Sequence, residues 1–200
     1  MNYPKNLKGI IDFYKSLPGI GEKNAIRMAI NTYESNDDRI NEFISNLQNM
    51  RTNVKKCSIC GMITDNDVCD ICSDTNRDDN LICVLEDYKN LFNFEKNNIF
   101  KGKYHILGGL ISPMDGVNPE DLNIHSLVER IKKLHKPEVI IALTSSIEGE
   151  MTMLYLKNIL DKYDVKISRL SYGVPLGMNL DYMDMLSLNK ALDDRREIED

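Results

Sequence analysis

The sequence predicts a multi-part α+β and α/β chain: an N-terminal helical hairpin, a short cysteine motif, an α/β domain with a mainly parallel sheet, and a short helical C-terminal segment. Three observations carry this reading. Apolar residues recur at helical spacing over the first 53 positions, four cysteines fall within residues 57–72, and from residue 81 short apolar runs alternate with helical stretches. The corresponding parts are 1–53, 54–77, 78–175 and 176–200.

In the first part, Leu7, Ile10, Ile11 and Tyr14 form one helical stripe, Ala25, Met28, Ala29 and Tyr33 a second, and Ile40, Phe43, Ile44 and Leu47 a third. Leu17-Pro18-Gly19-Ile20-Gly21 separates the first two helices. Proline and glycine suit a tight helix-to-helix turn, because glycine tolerates positive φ and close backbone approach. With Ala25 four residues on, this is a helix-hairpin-helix pattern. Such a turn presents amides at the start of the second helix, where the dipole favours an anion. Lys23 and Arg27 lie one turn apart on a face opposite the apolar stripe. Gly19, Gly21, Lys23 and Arg27 are therefore the candidate phosphate-binding residues, reading backbone rather than bases.

Charge supports the same end of the chain. The formal net charge is −6, which alone disfavours nucleic acid, but residues 1–56 carry +3 and the remainder −9. The acidic remainder suits a solvated surface or a docking face for a basic protein.

Residues 54–77 are too poor in large apolar side chains to form a core unaided. Cys57-Ser58-Ile59-Cys60 and Cys69-Asp70-Ile71-Cys72 are two C-x2-C pairs separated by eight residues. Each knuckle lets two thiolates reach one metal, and Gly61 suits the turn after the first. Four thiolates close a tetrahedral shell, so Cys57, Cys60, Cys69 and Cys72 predict one structural zinc per chain. An iron–sulfur cluster is the rival that metal analysis would separate. Cys83, inside an apolar run, reads as a small core residue.

In the third part, Leu81–Leu85, Tyr104–Leu107, Val139–Leu143 and Val165–Leu170 read as strands. Helices are expected near 88–96, 122–134 and 149–162, giving right-handed crossovers. Met183–Ala191 is expected to be helical, and the charged last residues to fray. No apolar run approaches the roughly 20 residues a membrane span needs. With no secretory segment at the start, the expected location is the cytoplasm.

Glu86 follows the first strand, where a metal-dependent phosphoryl-transfer site of the Toprim type can begin. Such a site also needs a D-x-D after a later strand. Here that strand runs into Thr144-Ser145-Ser146-Ile147-Glu148-Gly149-Glu150, and the D-x-D is missing. Glu86, Glu148 and Glu150 remain candidates for docking or weak Mg²⁺ binding, not catalysis. There is no phosphate loop of the G-x-x-x-x-G-K-[ST] kind and no G-x-S-x-G elbow, and His105, His125 and His135 lack ligand spacing.

These parts, in this order, resemble the RecR family of bacterial recombination mediators. Leu17 to Lys23 is similar to the family's L-P-G-[IV]-G-x-K, Ile82 to Glu86 to I-C-V-V-E, and Tyr104 to Gly116 to Y-H-V-L-G-G-x-I-S-P-L-D-G. Pro119 to Leu122 matches P-E-D-L, Glu148 to Glu150 matches E-G-E, and Gly173 to Gly177 matches G-V-P-x-G. Departures occur at Asn24, where serine is common, at Thr144 to Ser146, where T-N-P is usual, and at Met178-Asn179, often G-[GE].

The resemblance implies a Toprim-like α/β domain and a ring-shaped homotetramer built through exchanged terminal elements, the C-terminal segment among them. It implies a sequence-independent DNA clamp that works with RecO and RecF to load recombinase onto single-stranded gaps. It places Lys23 and Arg27 at DNA contacts and Glu86, Glu148 and Glu150 on a partner-docking face, and it implies no enzymatic activity. The alternatives are a Mg²⁺-dependent Toprim nuclease or primase, which needs the missing carboxylates, and a zinc-dependent transcription factor, which needs a base-reading helix.

Overall fold

A computed structural model describes residues 3–97, 100–171, 174, 177–195 and 197. Gly173, Pro175 and Leu176 of the G-V-P-x-G motif, and the last residues expected to fray, lie outside the described residues. The chain divides into two compact units, Met1–Val54 and Lys55–Asp200.

The first unit contains three helices, α1 (Lys5–Lys15), α2 (Glu22–Glu34) and α3 (Asp37–Asn53). Asn36 caps α3 by accepting the Arg39 amide, and Asp37 and Asp38 in its first turn suit the dipole. Helices α1 and α2 pack through Ile11, Ala25 and Ala29, with Leu7, Tyr14, Ile20 and Ile26 around them. The Tyr14 and Thr32 hydroxyls share a hydrogen bond at 2.9 Å across the pair.

The stripes need correcting at their edges. Tyr33 is 84% exposed, Ile10 is also exposed, and Met28 is only half-buried. The small alanines draw α1 close, which turns α2 so that Ile26 and Thr32, rather than Tyr33, border the contact. Along α3, Phe43, Ile44, Leu47 and Met50 are all exposed, and the helix buries no residue.

The second unit is built on a four-stranded parallel sheet ordered β4-β3-β5-β6. Its strands are β3 (Asp78–Leu85), β4 (Gly102–Ile106), β5 (Glu138–Ala142) and β6 (Lys166–Arg169). Strand β3 lies between its neighbours with Cys83 level with Tyr104 on one side and Ile140 on the other. The connecting helices are α5 (Tyr88–Asn97), α6 (Ile124–Ile131) and α7 (Ile147–Leu160). Helix α6 starts later than the spacing predicts, because Pro119–Asp121 forms a separate 3-10 turn closed by reciprocal Asn118 and Asp121 bonds.

Alternation along the strands splits the interior in two. Ile82, Val84, Val139 and Ile141 join Leu127, Ile131, Leu156 and Leu160 in one core. Cys83, Leu85, Tyr104, Ile106 and Ala142 join Leu91 and three of the motif cysteines in the other. The motif thus borrows a sheet face as its core. It contributes a two-residue antiparallel ribbon, β1 (Lys55–Lys56) with β2 (Ile63–Thr64), and the short helix α4 (Asp70–Ser73).

The last described helix is α8 (Met185–Asp193), capped by the Asp184 carboxylate. It is tied back by Lys190 to Glu150 at 2.8 Å and by Arg169 to Asp194 at 2.7 Å. No helix among the described residues is long and apolar enough to cross a membrane.

Candidate metal centre and nucleic-acid hairpin

The two C-x2-C pairs converge. The Sγ atoms of Cys57, Cys60, Cys69 and Cys72 all lie within 4.8 Å of one another, with Cys60 and Cys69 3.6 Å apart. A Zn–S bond of about 2.3 Å in a tetrahedron needs S···S edges of about 3.8 Å, so the donor set fits zinc. The local fold supplies the knuckles. The Gly61 amide donates to the Cys57 carbonyl at 3.0 Å, and the Cys69 amide donates to Cys57 Sγ at 3.3 Å.

Gly61 is required twice over. Its φ is +78°, and a Cβ there would press on the Asn123 amide and the Ile106 carbonyl. Crowding also perturbs the thiols. The hydrogen bond between Cys60 and Cys69 pulls Cys69 down and pushes Cys60 up. Bound zinc would complete a closed four-sulfur shell with no open position for water, which is a structural role. Cys83 is not part of this set. Its thiol is buried in the sheet, and burial pushes it up to about 12.

The motif is fastened to the edge of the sheet. The Ile106 amide on β4 donates to the Cys60 carbonyl at 2.7 Å, so the first knuckle covers an edge that would otherwise be open. Beyond the second knuckle, Arg77 pairs with both Glu95 oxygens, at 3.0 and 2.6 Å, and with Asp74 at 3.4 Å. Tyr104 donates to Glu95 at 2.7 Å. The Glu95 hydrogen bond raises Arg77, while burial, then Glu95, raises Tyr104. Sequence reasoning missed this network because its members are spread from residue 74 to residue 104.

The hairpin forms as its residues require. Gly19 takes φ +79°, a conformation costly for other residues, and Ile20 donates to the Leu17 carbonyl to close the turn. Gly21 is the N-cap of α2 with ordinary φ, and a Cβ there would meet nothing. The fold does not explain that glycine. It supplies no side-chain cap, which leaves the first-turn amides of α2 open to an anion. Lys23 and Arg27 are exposed on α2 and form no ion pair among the described residues, whereas neighbouring Glu22 is paired with Lys15 at 3.3 Å.

The three acids are not brought into one ligand set. Among the described residues the four cysteines are the only such cluster of three or more possible metal ligands. Glu86, just past β3, accepts the Thr144 hydroxyl at 2.5 Å. Glu148 and Glu150 stand in the first turn of α7, and Glu150 faces Lys190 from α8. His105 is fully buried on β4 with Nε2 2.7 Å from the Asn123 carbonyl, while Nδ1 has no hydrogen-bond partner among the described residues. Burial holds its pKa down at about 4. His125 lies exposed on α6 and His135 in the loop after it.

A closed four-cysteine centre on the edge of a parallel α/β sheet, in a chain that also carries a helical hairpin unit, defines a zinc-stapled Toprim-class protein. Residues 80–171 match the Toprim domain, residues 54–74 match the four-cysteine zinc finger domain of RecR, and residues 173–196 match the RecR C-terminal domain. The chain is 43% identical over 198 residues to the recombination protein RecR of Finegoldia magna, covering 98% of each chain. It is 42% identical to that of Staphylococcus aureus, covering 99% of this chain and 100% of the relative. The chain belongs to the RecR family of recombination proteins.

Proposed function

We propose that the protein is a DNA-binding recombination mediator that performs no chemistry itself. It assembles as a homotetrameric clamp and acts with RecO- and RecF-type proteins to load recombinase onto gapped single-stranded DNA. The observation that carries this reading is the hairpin. Lys23 and Arg27 are exposed on α2 with no ion-pair partner among the described residues, next to a helix start without a side-chain cap, in a chain of the RecR family. Cations plus backbone amides attract phosphates without discriminating sequence.

Two further features support a scaffold over an enzyme. Glu86 is engaged by a threonine hydroxyl, and the second acidic position of a Toprim site holds Thr144-Ser145-Ser146. The acidic C-terminal three-quarters of the chain, Glu86, Glu148 and Glu150 included, offers a face for a basic partner. The apolar face of α3 offers a contact between copies, and the C-terminal segment a second one.

The test is DNA binding to unrelated sequences over a salt series, with and without a RecO-type partner, alongside a Mg²⁺-dependent cleavage assay. Affinity independent of sequence, steep in salt and enhanced by the partner supports the reading. Turnover that survives purification and disappears in Glu86→Ala overturns it.

A further inference from the structure

We propose that Lys103 is a positioning residue of the metal centre, whose buried ammonium holds the second cysteine knuckle in its binding geometry before metal arrives. Lys103 sits in the edge strand β4 with 2% of its surface exposed. Burying an ammonium is unfavourable unless each of its three hydrogens finds an acceptor. Here each does. Nζ donates to the carbonyls of Ile71 at 3.0 Å, Cys72 at 3.0 Å and Asp74 at 2.6 Å, and the Asp79 carboxylate lies 3.5 Å away.

These carbonyls are the C-terminal end of α4 and the residue that caps it. Cys69 is the N-cap of the same helix and Cys72 lies within it, so α4 sets the spacing of two of the four ligands. A four-residue helix does not persist through propensity alone, since one turn barely covers the cost of nucleation. A cation on its last carbonyls satisfies the groups that helix ends leave open and complements the dipole. Zinc held by four thiolates leaves the centre anionic, and an ammonium hydrogen-bonded to the ligand Cys72 itself offsets that charge.

The two knuckles therefore differ. The second is tied to β4 by three hydrogen bonds from a buried side chain, while the first packs on Tyr104 and Ile106 and, among the described residues, hydrogen-bonds β4 through the Ile106 to Cys60 backbone bond. The second knuckle is the preformed half, and the first closes onto it when metal binds.

The experiment uses the full chain. Lys103→Met keeps the apolar stem and removes the donors. Loss of such an outer-shell partner should weaken zinc binding about 10–100-fold in competition with a chromophoric chelator. At saturating Co²⁺ the variant should still give four-thiolate charge-transfer bands, which shows that ligation is intact and positioning is lost. Hydrogen exchange on metal-stripped wild-type protein reads the preformed half directly. The Ser73 and Asp74 amides, bonded to the Cys69 and Asp70 carbonyls at 3.0 Å each, should stay protected while the Gly61 amide exchanges freely. Unchanged zinc affinity in the variant, with equal destabilisation of loaded and stripped protein, would reduce Lys103 to packing and overturn the proposal. So would stripped wild-type protein whose Ser73 and Asp74 amides exchange as fast as Gly61. If Lys103→Met does not fold, the wild-type exchange comparison decides alone.

Discussion

Among the described residues of the helical unit only Ile11, Ala25 and Ala29 form a buried core, whereas the α/β unit closes a core on each face of its sheet. Both units follow binary patterning, but the pattern meets a different fate in each. In the α/β unit strands β3, β4 and β5 find helices or the cysteine motif and are buried within one chain, while the edge strand β6 stays half-exposed and α7 leaves Ile147 and Leu154 at the surface. In the helical unit the α3 stripe is left exposed along its length. Amphipathicity therefore tells which face a helix must cover, and leaves open whether its own chain or another copy does the covering.

The strongest way to break this contrast is to remove the metal. Zinc contributes on the order of 10 kcal/mol in small zinc-dependent domains. Its cysteines here share a core with Leu85, Tyr104 and Ile106, so metal stripping or Cys60→Ser should lower the melting temperature of the α/β unit and open residues 57–64. Helices α1 and α2 should keep their amide protection. Metal analysis should give about one zinc per chain. Equal loss of protection in both units would mean that the helical unit leans on the metal too.

What could be read in advance divides along the same line. The strands are legible because short apolar runs at 81–85 and 139–143 suit buried strands, and the metal ligands because C-x2-C spacing encodes a knuckle. Spacing places Met28 and Tyr33 on the stripe, yet Met28 is half-buried and Tyr33 exposed, because helical spacing fixes a stripe only to within a turn. How closely Ala25 and Ala29 let α1 approach then decides its margin. Lys103 gave no local signal, since its acceptors lie about thirty residues upstream at Ile71, Cys72 and Asp74. The one available clue was a charged residue directly before Tyr104 in a run that must be buried. Such a residue must find partners somewhere.

A smaller effect sharpens the α/β side of the contrast. Burial lowers His105 from 6.5 to about 4, Arg130 adds to this, and the Asn123 bond opposes it. Between these values the unfolded chain takes up a proton that the folded chain refuses, so His105 stabilises fully above pH 6.5. That contribution is lost as pH falls towards 4. The window holds about 3 kcal/mol at most. His105→Gln keeps a donor for Asn123 and removes the titration. The variant's melting temperature should therefore fall less than the wild type's from pH 6.5 to 4, at constant metal loading. Parallel curves would mean that the folded imidazole accepts the proton.

On the helical side, Phe43→Ser with Leu47→Ser should leave the fold of the single chain nearly unchanged, because both side chains are exposed there. If a second copy covers α3, each loss should weaken association by about 1.5–3 kcal/mol. The mass measured by light scattering should then drop. An unchanged mass would place the contacts between copies on another surface.

The hairpin should show the smallest effect on stability and a large one on binding. Lys23 and Arg27 are exposed and form no ion pair among the described residues, and the contact with α1 is made by Ala25, Ala29 and Ile26. Replacing both cations by alanine should move folding stability by no more than about 0.5 kcal/mol, the range for surface sites without special features. Melting temperature and zinc content should stay at wild-type values. If each side chain neutralises one phosphate, each loss should reduce the log–log salt slope by about 0.9 on duplex or 0.7 on single strands. The weakening should be alike on unrelated sequences, because phosphate contacts position a protein without reading bases. If the protein assembles as the proposed tetrameric clamp, several hairpins meet one DNA and avidity should multiply the defect beyond that of one site. Titrations at several salt concentrations, on two sequences of equal length, separate these effects. Wild-type affinity and slope in a folded, zinc-loaded double variant would move the DNA surface off the hairpin. A loss confined to one sequence would make α2 a base reader.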